Sequence, residues 1–191
     1  AVKGAVYLCR QDYMSMRLFI AIDFNELKGY FIELQQELPK NAKLSLTKTF
    51  HMTLKFLGEV QPDSAENVIN ILKNIKFEPF SVFLGSVGIF PTENYIRVVW
   101  VGINPEEKIL ELQKQIDESL MPLFKKEKDF KAHITLARVK YPEDKKNFLE
   151  QIKKIKIDNK KVEIKDFRLI KSTLTPKGPV YEDLAVFNAD Q

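Results

Sequence analysis

The sequence predicts an α+β fold, with mixed or antiparallel sheets backed by helices. Two observations carry that expectation. Apolar residues switch between the period of a strand and that of a helix, in the order strand, helix, strand, helix, strands, helix, strand, helix, strands. The phrase His-x-Thr-Leu also occurs twice, as His51-Met52-Thr53-Leu54 and His133-Ile134-Thr135-Leu136, each time on a strand that follows one helix and precedes another. That placement suggests a duplicated unit, although outside the phrases the halves share few letters.

The run Met16-Arg17-Leu18-Phe19-Ile20-Ala21-Ile22-Asp23 reads as the first strand. Leu27, Tyr30, Phe31, Leu34 and Leu38 then recur at helical spacing, and Pro39 closes that helix. Residues 44–57 follow as one strand holding the first phrase and ending at Gly58. Pro62 suits the first turn of a second helix, whose Val68, Ile71, Leu72 and Ile75 form a single stripe. Strands are expected at 77–90 and 95–103, and Asn104-Pro105 opens a third helix with Ile109, Leu112, Ile116 and Leu120. The second phrase lies on a strand over about 130–139. A fourth helix carries Phe148, Ile152 and Ile155. Strands near 161–171 and 180–187 flank a turn at Thr175-Pro176-Lys177-Gly178-Pro179.

Nothing marks a flexible linker, so residues 16–191 are expected to form a single domain. Residues 1–15 read as an N-terminal extension or expression remnant, without the apolar core and cleavage site of a signal peptide. No apolar run approaches the ~20 residues that span a bilayer. The single cysteine, Cys9, excludes an intramolecular disulfide framework and a cysteine-based zinc site, which fits a reducing cytoplasm. A net charge of +4 leans towards anionic partners, but a solvated, lysine-rich surface explains it equally well.

The two histidines of the phrases are the only histidines in the chain. In a strand, His51 and Thr53 share one face while Met52, Leu54 and Phe56 share the other; His133 and Thr135 are opposed likewise to Ile134 and Leu136. Each phrase therefore offers an imidazole beside a hydroxyl, over an apolar back. Histidine gives or accepts protons near neutrality, so two of them flanking a phosphodiester form an acid–base pair. Thr53 and Thr135 would hold the phosphoryl oxygens. A lone strand histidine is usually structural; matching neighbours at both make that explanation poor here. Zinc is disfavoured, because neither phrase has a further ligand at metal spacing such as H-E-x-x-H. The expectation is no metal and no cofactor. A nucleophile elbow, a phosphate-cradling loop and a dinucleotide fingerprint are all absent.

The stretches His51-Met52-Thr53-Leu54-Lys55-Phe56-Leu57-Gly58-Glu59 and His133-Ile134-Thr135-Leu136-Ala137-Arg138 resemble the paired H-x-T-x motifs of the two-histidine phosphoesterases. The resemblance runs from Met16 to about Phe187 and is greatest to the RNA 2′,3′-cyclic phosphodiesterase branch, historically called 2′-5′ RNA ligase. It implies a two-lobed, pseudo-twofold fold: curved, mostly antiparallel sheets form a central cleft, with helices packed outside. It also implies hydrolysis of RNA 2′,3′-cyclic phosphate ends, or of cyclic nucleotides, to 2′-phosphomonoesters without a metal. Some members instead join such ends, including those of tRNA halves, to 5′-hydroxyls. By analogy His51 protonates the departing 3′-oxygen and His133 activates water, although the roles could be exchanged.

Arg138 and Lys55 are the further candidates for phosphate contact. Lys55 has the parity of His51, whereas Arg138 needs a bulge to join His133. Phe50, Phe130 and Tyr181 are candidates to touch a base, and Arg97 is expected either at a sheet surface or in the cleft. An RNA-end-binding module without catalysis is the rival from another class, and nothing in the sequence demands more than a monomer.

Overall fold

Alternating apolar residues and antiparallel pairing build two sheets in the computed structural model, which describes residues 14–190. The described elements run in the order β1 (Met16–Asp23), α1 (Lys28–Glu37), β2 (Ala42–Leu46), β3 (His51–Val60), α2 (Pro62–Leu72), β4 (Phe80–Thr92), β5 (Tyr95–Asn104), α3 (Glu107–Leu120), β6 (His133–Pro142), α4 (Lys145–Ile152), β7 (Lys161–Ile164), β8 (Asp166–Thr175) and β9 (Gly178–Asn188). One sheet has the order β3-β1-β8-β9 and the other β2-β6-β5-β4-β7, with every pairing antiparallel. Removing β2 makes the two orders equivalent, each histidine strand lying beside a largely apolar neighbour, β1 or β5. That is the expected two-lobed arrangement. Residues 1–13, and Cys9 with them, lie outside the described residues.

The two apolar strands expected at 44–57 and 161–171 each divide between the sheets. β2 pairs with β6 in one sheet, and four residues later β3 pairs with β1 in the other. The crossing is held by Thr47 N–H donating to the Leu136 carbonyl at 2.9 Å and Phe50 N–H donating to Asn25 Oδ1 at 2.9 Å. Likewise β7 and β8 part at Lys165. Periodicity cannot show this, because an extended chain keeps its alternation while it changes partners. The third helix starts at Glu107, after rather than at Pro105, and the fourth ends at Ile152.

One continuous core joins the sheets to their helices: Ile20 and Leu169 from one, Val101 and Ile134 from the other, Phe31, Leu72, Ile116 and Phe148 from the four helices, all essentially inaccessible. A second, small cluster of Phe19, Ala21, Ile170 and Tyr181 lies on the opposite face of β1, β8 and β9, away from the helices. That face carries the first histidine.

Candidate active site

Each phrase folds into the same local structure. Ala21 pairs with Thr53 and Ile20 with Lys55, so Leu54 is an extra residue in β3. Trp100 pairs with Thr135 and Val99 with Ala137, so Leu136 is the extra residue in β6. Both phrases thus contain a β-bulge at their fourth letter, and a bulge reverses the alternation beyond it. The burial along the two strands agrees position by position over their first nine residues.

The bulge frees a leucine carbonyl from the ladder, and a buried glutamine answers it in both halves. Gln35 of α1 donates through Nε2 to the Leu136 carbonyl at 2.8 Å and the Thr47 carbonyl at 2.7 Å. Gln113 of α3 donates to the Leu54 carbonyl at 3.4 Å. Each helix thereby supports the histidine strand of the other half. Buried carbonyls need such partners.

The reversal decides which candidates reach the cleft. Arg138 gains the face of His133 and Thr135 and is exposed there. The same bulge in β3 takes Lys55 away from His51: its ammonium is buried, paired with Asp117 and donating to the Lys125 carbonyl at 2.7 Å. Lys55 is therefore corrected from phosphate ligand to core ion pair. Phe56, placed in the core by strict alternation, is instead 65% exposed. Phe50 is fully buried and stacks on Phe31 at 4.7 Å, so it cannot serve as a base contact, and Phe130 is half-buried, packed against the main core. Tyr181 does reach the first histidine, edge-on to the His51 ring at 5.2 Å. Arg97 is exposed, lies over the Tyr95 ring and donates to the Lys140 carbonyl at 3.3 Å.

His51 and His133 are both partly buried, each at the first residue of its strand. Phe19 packs on His51 at 5.0 Å, and Phe90 and Trp100 pack on His133 at 4.8 and 6.1 Å. Gly88 makes room for the indole, since a Cβ there would stand 2.2 Å from it. The His133 Nδ1 lies 2.7 Å from the Lys131 carbonyl, which can only accept; Nδ1 therefore carries a proton, and neutral His133 presents the lone pair of Nε2.

Burial lowers the pKa of His51 to about 4, opposed by the charge of Asp23 and reinforced by that of His133. The rings of the two phrases thus feel each other. Burial also lowers that of His133, while its bond to the Lys131 carbonyl acts the other way. Tyr181 is raised by burial, against the charges of Arg138 and Arg17, which brings β6 of one sheet and β1 of the other within electrostatic reach of one phenol. Asp23, opposite His51 on β1, is gripped by Arg168, which also holds Asp166 and Asp183, at 2.9, 3.0 and 2.9 Å.

Sequence reasoning missed Phe19, Phe90, Trp100, Asp23 and Arg168 around the histidines. Aromatic and charged strand residues are too common to single out without their neighbours. Among the described residues no group of three or more His, Cys, Asp or Glu side chains is arranged to hold a metal ion, and no helix is long and apolar enough to cross a membrane.

The sequence matches the family described as LigT like Phosphoesterase over residues 22–100 and again over 101–181, one phrase in each match. Two relatives are each named RNA 2′,3′-cyclic phosphodiesterase. That of Methanocaldococcus jannaschii is 40% identical over 171 residues, 87% of this chain and 97% of the relative. That of Archaeoglobus fulgidus is 37% identical over 179 residues, 90% and 99%. Among solved structures, TT0787 of Thermus thermophilus superposes with a TM-score of 0.75 at 27% identity, covering 91% of this chain and 97% of that one. The Escherichia coli LigT structure complexed with 3′-AMP has the same fold, at a TM-score of 0.75, 23% identity and coverage of 93% and 99%.

Proposed function

Because this chain belongs to the LigT-like phosphoesterase family, we propose that it hydrolyses RNA 2′,3′-cyclic phosphate ends to 2′-phosphomonoesters, with His51 and His133 as its acid–base pair. What supports this is the equivalence of two bulged strands, each carrying one imidazole and one threonine on the same face, with the charge of His133 felt at His51. Neutral His133, its Nε2 free to accept, takes a proton from water as the water oxygen bonds to phosphorus. The bond from phosphorus to the 3′-oxygen breaks, and protonated His51 supplies that oxygen with its proton. Thr53, Thr135 and Arg138 hold the non-bridging oxygens, on which negative charge grows.

Burial leaves both rings neutral at pH 7 in the free protein. An anionic phosphodiester between them favours the charged imidazolium, so the substrate itself helps to load the acid. All groups of this scheme come from one chain, which suits a monomer, and RNA ends such as those of tRNA halves are the macromolecular substrates it fits. The cytoplasm is the compartment where such ends would be met.

The test is product analysis with an oligonucleotide ending in a 2′,3′-cyclic phosphate, with and without a 5′-hydroxyl partner. A 2′-phosphate product is expected in both cases, in strong chelator, and its rate should fall by roughly 10²–10⁴-fold in His51→Ala or His133→Ala. Loss of hydrolysis in chelator, restored by zinc or manganese, would refute the mechanism. A joined 2′-5′ product as the main outcome would instead make the chain a ligase, and tight binding without any product would make it an RNA-end-binding module.

A further inference from the structure

The strands beside the two histidines differ at the position opposite the imidazole. On β1, Ala21 and Asp23 stand across from Thr53 and His51; on β5, Trp100 and Gly102 stand across from Thr135 and His133. A carboxylate therefore faces the first histidine and a glycine the second. We propose that Asp23 is the positioning residue that makes His51 the acid of the pair, fixing the entry of β3 through Asn25 and keeping a negative charge beside the imidazolium. The inference rests on the phosphodiesterase reading above.

Both oxygens of Asp23 are engaged. Oδ1 accepts from the backbone N–H and from the side-chain amide of Asn25, each at 2.7 Å. Asn25 Oδ1 in turn accepts from the Phe50 N–H at 2.9 Å, and the Phe50 carbonyl accepts from the Phe24 N–H at 2.9 Å. The residue before His51 thus has both backbone groups tied to the chain that leaves Asp23. Oδ2 lies 2.9 Å from Arg168, whose guanidinium also meets Asp166 and Asp183. One cation among three carboxylates leaves a surplus of negative charge. Asp23 and Arg168 are each only 26% exposed, so water screens that charge incompletely. The second half of the site has no counterpart. A Cβ at Gly102 would stand 3.3 Å from the Trp100 ring, and His133 meets the dipole of the Lys131 carbonyl in place of a full charge. The other charged and titratable groups around His51 and its neighbour Tyr181 are His133 and Arg138 of β6 and Arg17 of β1, while Lys55 of β3 and Asp117 of α3 pair with each other. Asp23 favours the charged His51 ring, and His133 opposes it.

With only two histidines in the chain, both imidazoles can be followed by NMR titration and assigned with His133→Gln. Asp23→Asn keeps an oxygen for Asn25 and removes the charge. It should move the titration of His51 down by about one pH unit, the lower end of what a neighbouring opposite charge supplies, and leave that of His133 in place. Arg168→Gln unmasks the carboxylate and should move His51 up. Hydrolysis of saturating 2′,3′-cyclic UMP gives the second readout. Where pH exceeds both pKa values, kcat scales with the protonated fraction of His51; where it lies below both, kcat scales with the neutral fraction of His133. Asp23→Asn should therefore lose about tenfold in kcat on the alkaline side and little on the acid side, and Arg168→Gln should gain on the alkaline side. Asn25→Ala breaks the link to Phe50 but keeps the charge, and should lower kcat evenly at every pH. A His51 titration unmoved in both charge variants overturns the proposal, as does an even loss of kcat across pH in Asp23→Asn, or an undiminished kcat in Asn25→Ala. Where Asp23→Asn fails to fold, the opposite sign of Arg168→Gln decides. If the titrations move as expected but the wild type hydrolyses neither cyclic UMP nor the cyclic end of an oligonucleotide, the phosphodiesterase reading falls and the coupling of Asp23 to His51 stands.

Discussion

At the scale of single residues, burial sets the protonation of the pair. The His51 pKa falls from 6.5 to about 4 on folding, so between those values the unfolded chain binds more protons than the folded one. Stability must therefore rise with pH across that window and be lost as pH falls through it. The full difference amounts to on the order of 3 kcal/mol. Urea melts at a series of pH values should show His51→Gln losing less stability than the wild type between pH 6.5 and 4, with the remaining slope owed partly to His133, which is shifted in the same direction. Catalysis carries the same sign. With both rings lowered, the bell-shaped profile of kcat/KM should centre below pH 6.5, and that of kcat should lie higher, because bound phosphate favours the imidazolium. A kcat/KM profile centred above roughly pH 7 would contradict this account.

At the scale of the element, the bulge of each phrase and its buried glutamine act together. Gln35→Met keeps volume but removes the side-chain donor of both the Thr47 and Leu136 carbonyls, of which Leu136 keeps the Thr47 N–H, and should cost about 1–3 kcal/mol in a denaturant melt. Because that bulge turns Arg138 into the cleft, the same variant should also raise KM for a cyclic nucleotide; an unaltered KM would separate the bulge from substrate binding. The Lys55–Asp117 pair ties β3 to α3, and Asp117 also accepts from the Glu127 N–H at 3.1 Å, fixing the chain that leads into β6. Removing one partner strands a buried charge, so Lys55→Ala or Asp117→Ala should each lose about 3–5 kcal/mol, whereas Lys55→Met with Asp117→Leu should lose much less.

At the scale of the molecule, the main core runs through both sheets and all four helices, so the lobes should unfold together. Far-ultraviolet circular dichroism and Trp100 fluorescence are expected to give coincident transitions, and two separated transitions would show independent lobes. Much of this was legible in the chain. The α+β class, the four helices and the twin phrases follow from period and repetition, and His51, His133, Thr53 and Thr135 follow from strand parity. Lys55, Phe56 and Arg138 could not be placed in that way, because one bulged residue reverses parity and leaves no mark in the local letters. Nor could the division of 44–57 and 161–171 between sheets, since backbone partners are chosen at long range. The sequence by itself determined which groups can move protons and hold phosphate. Tertiary structure alone decided which of them meet, and so turned a repeated phrase into a cleft with a cation on one wall and an open aromatic ring on the other.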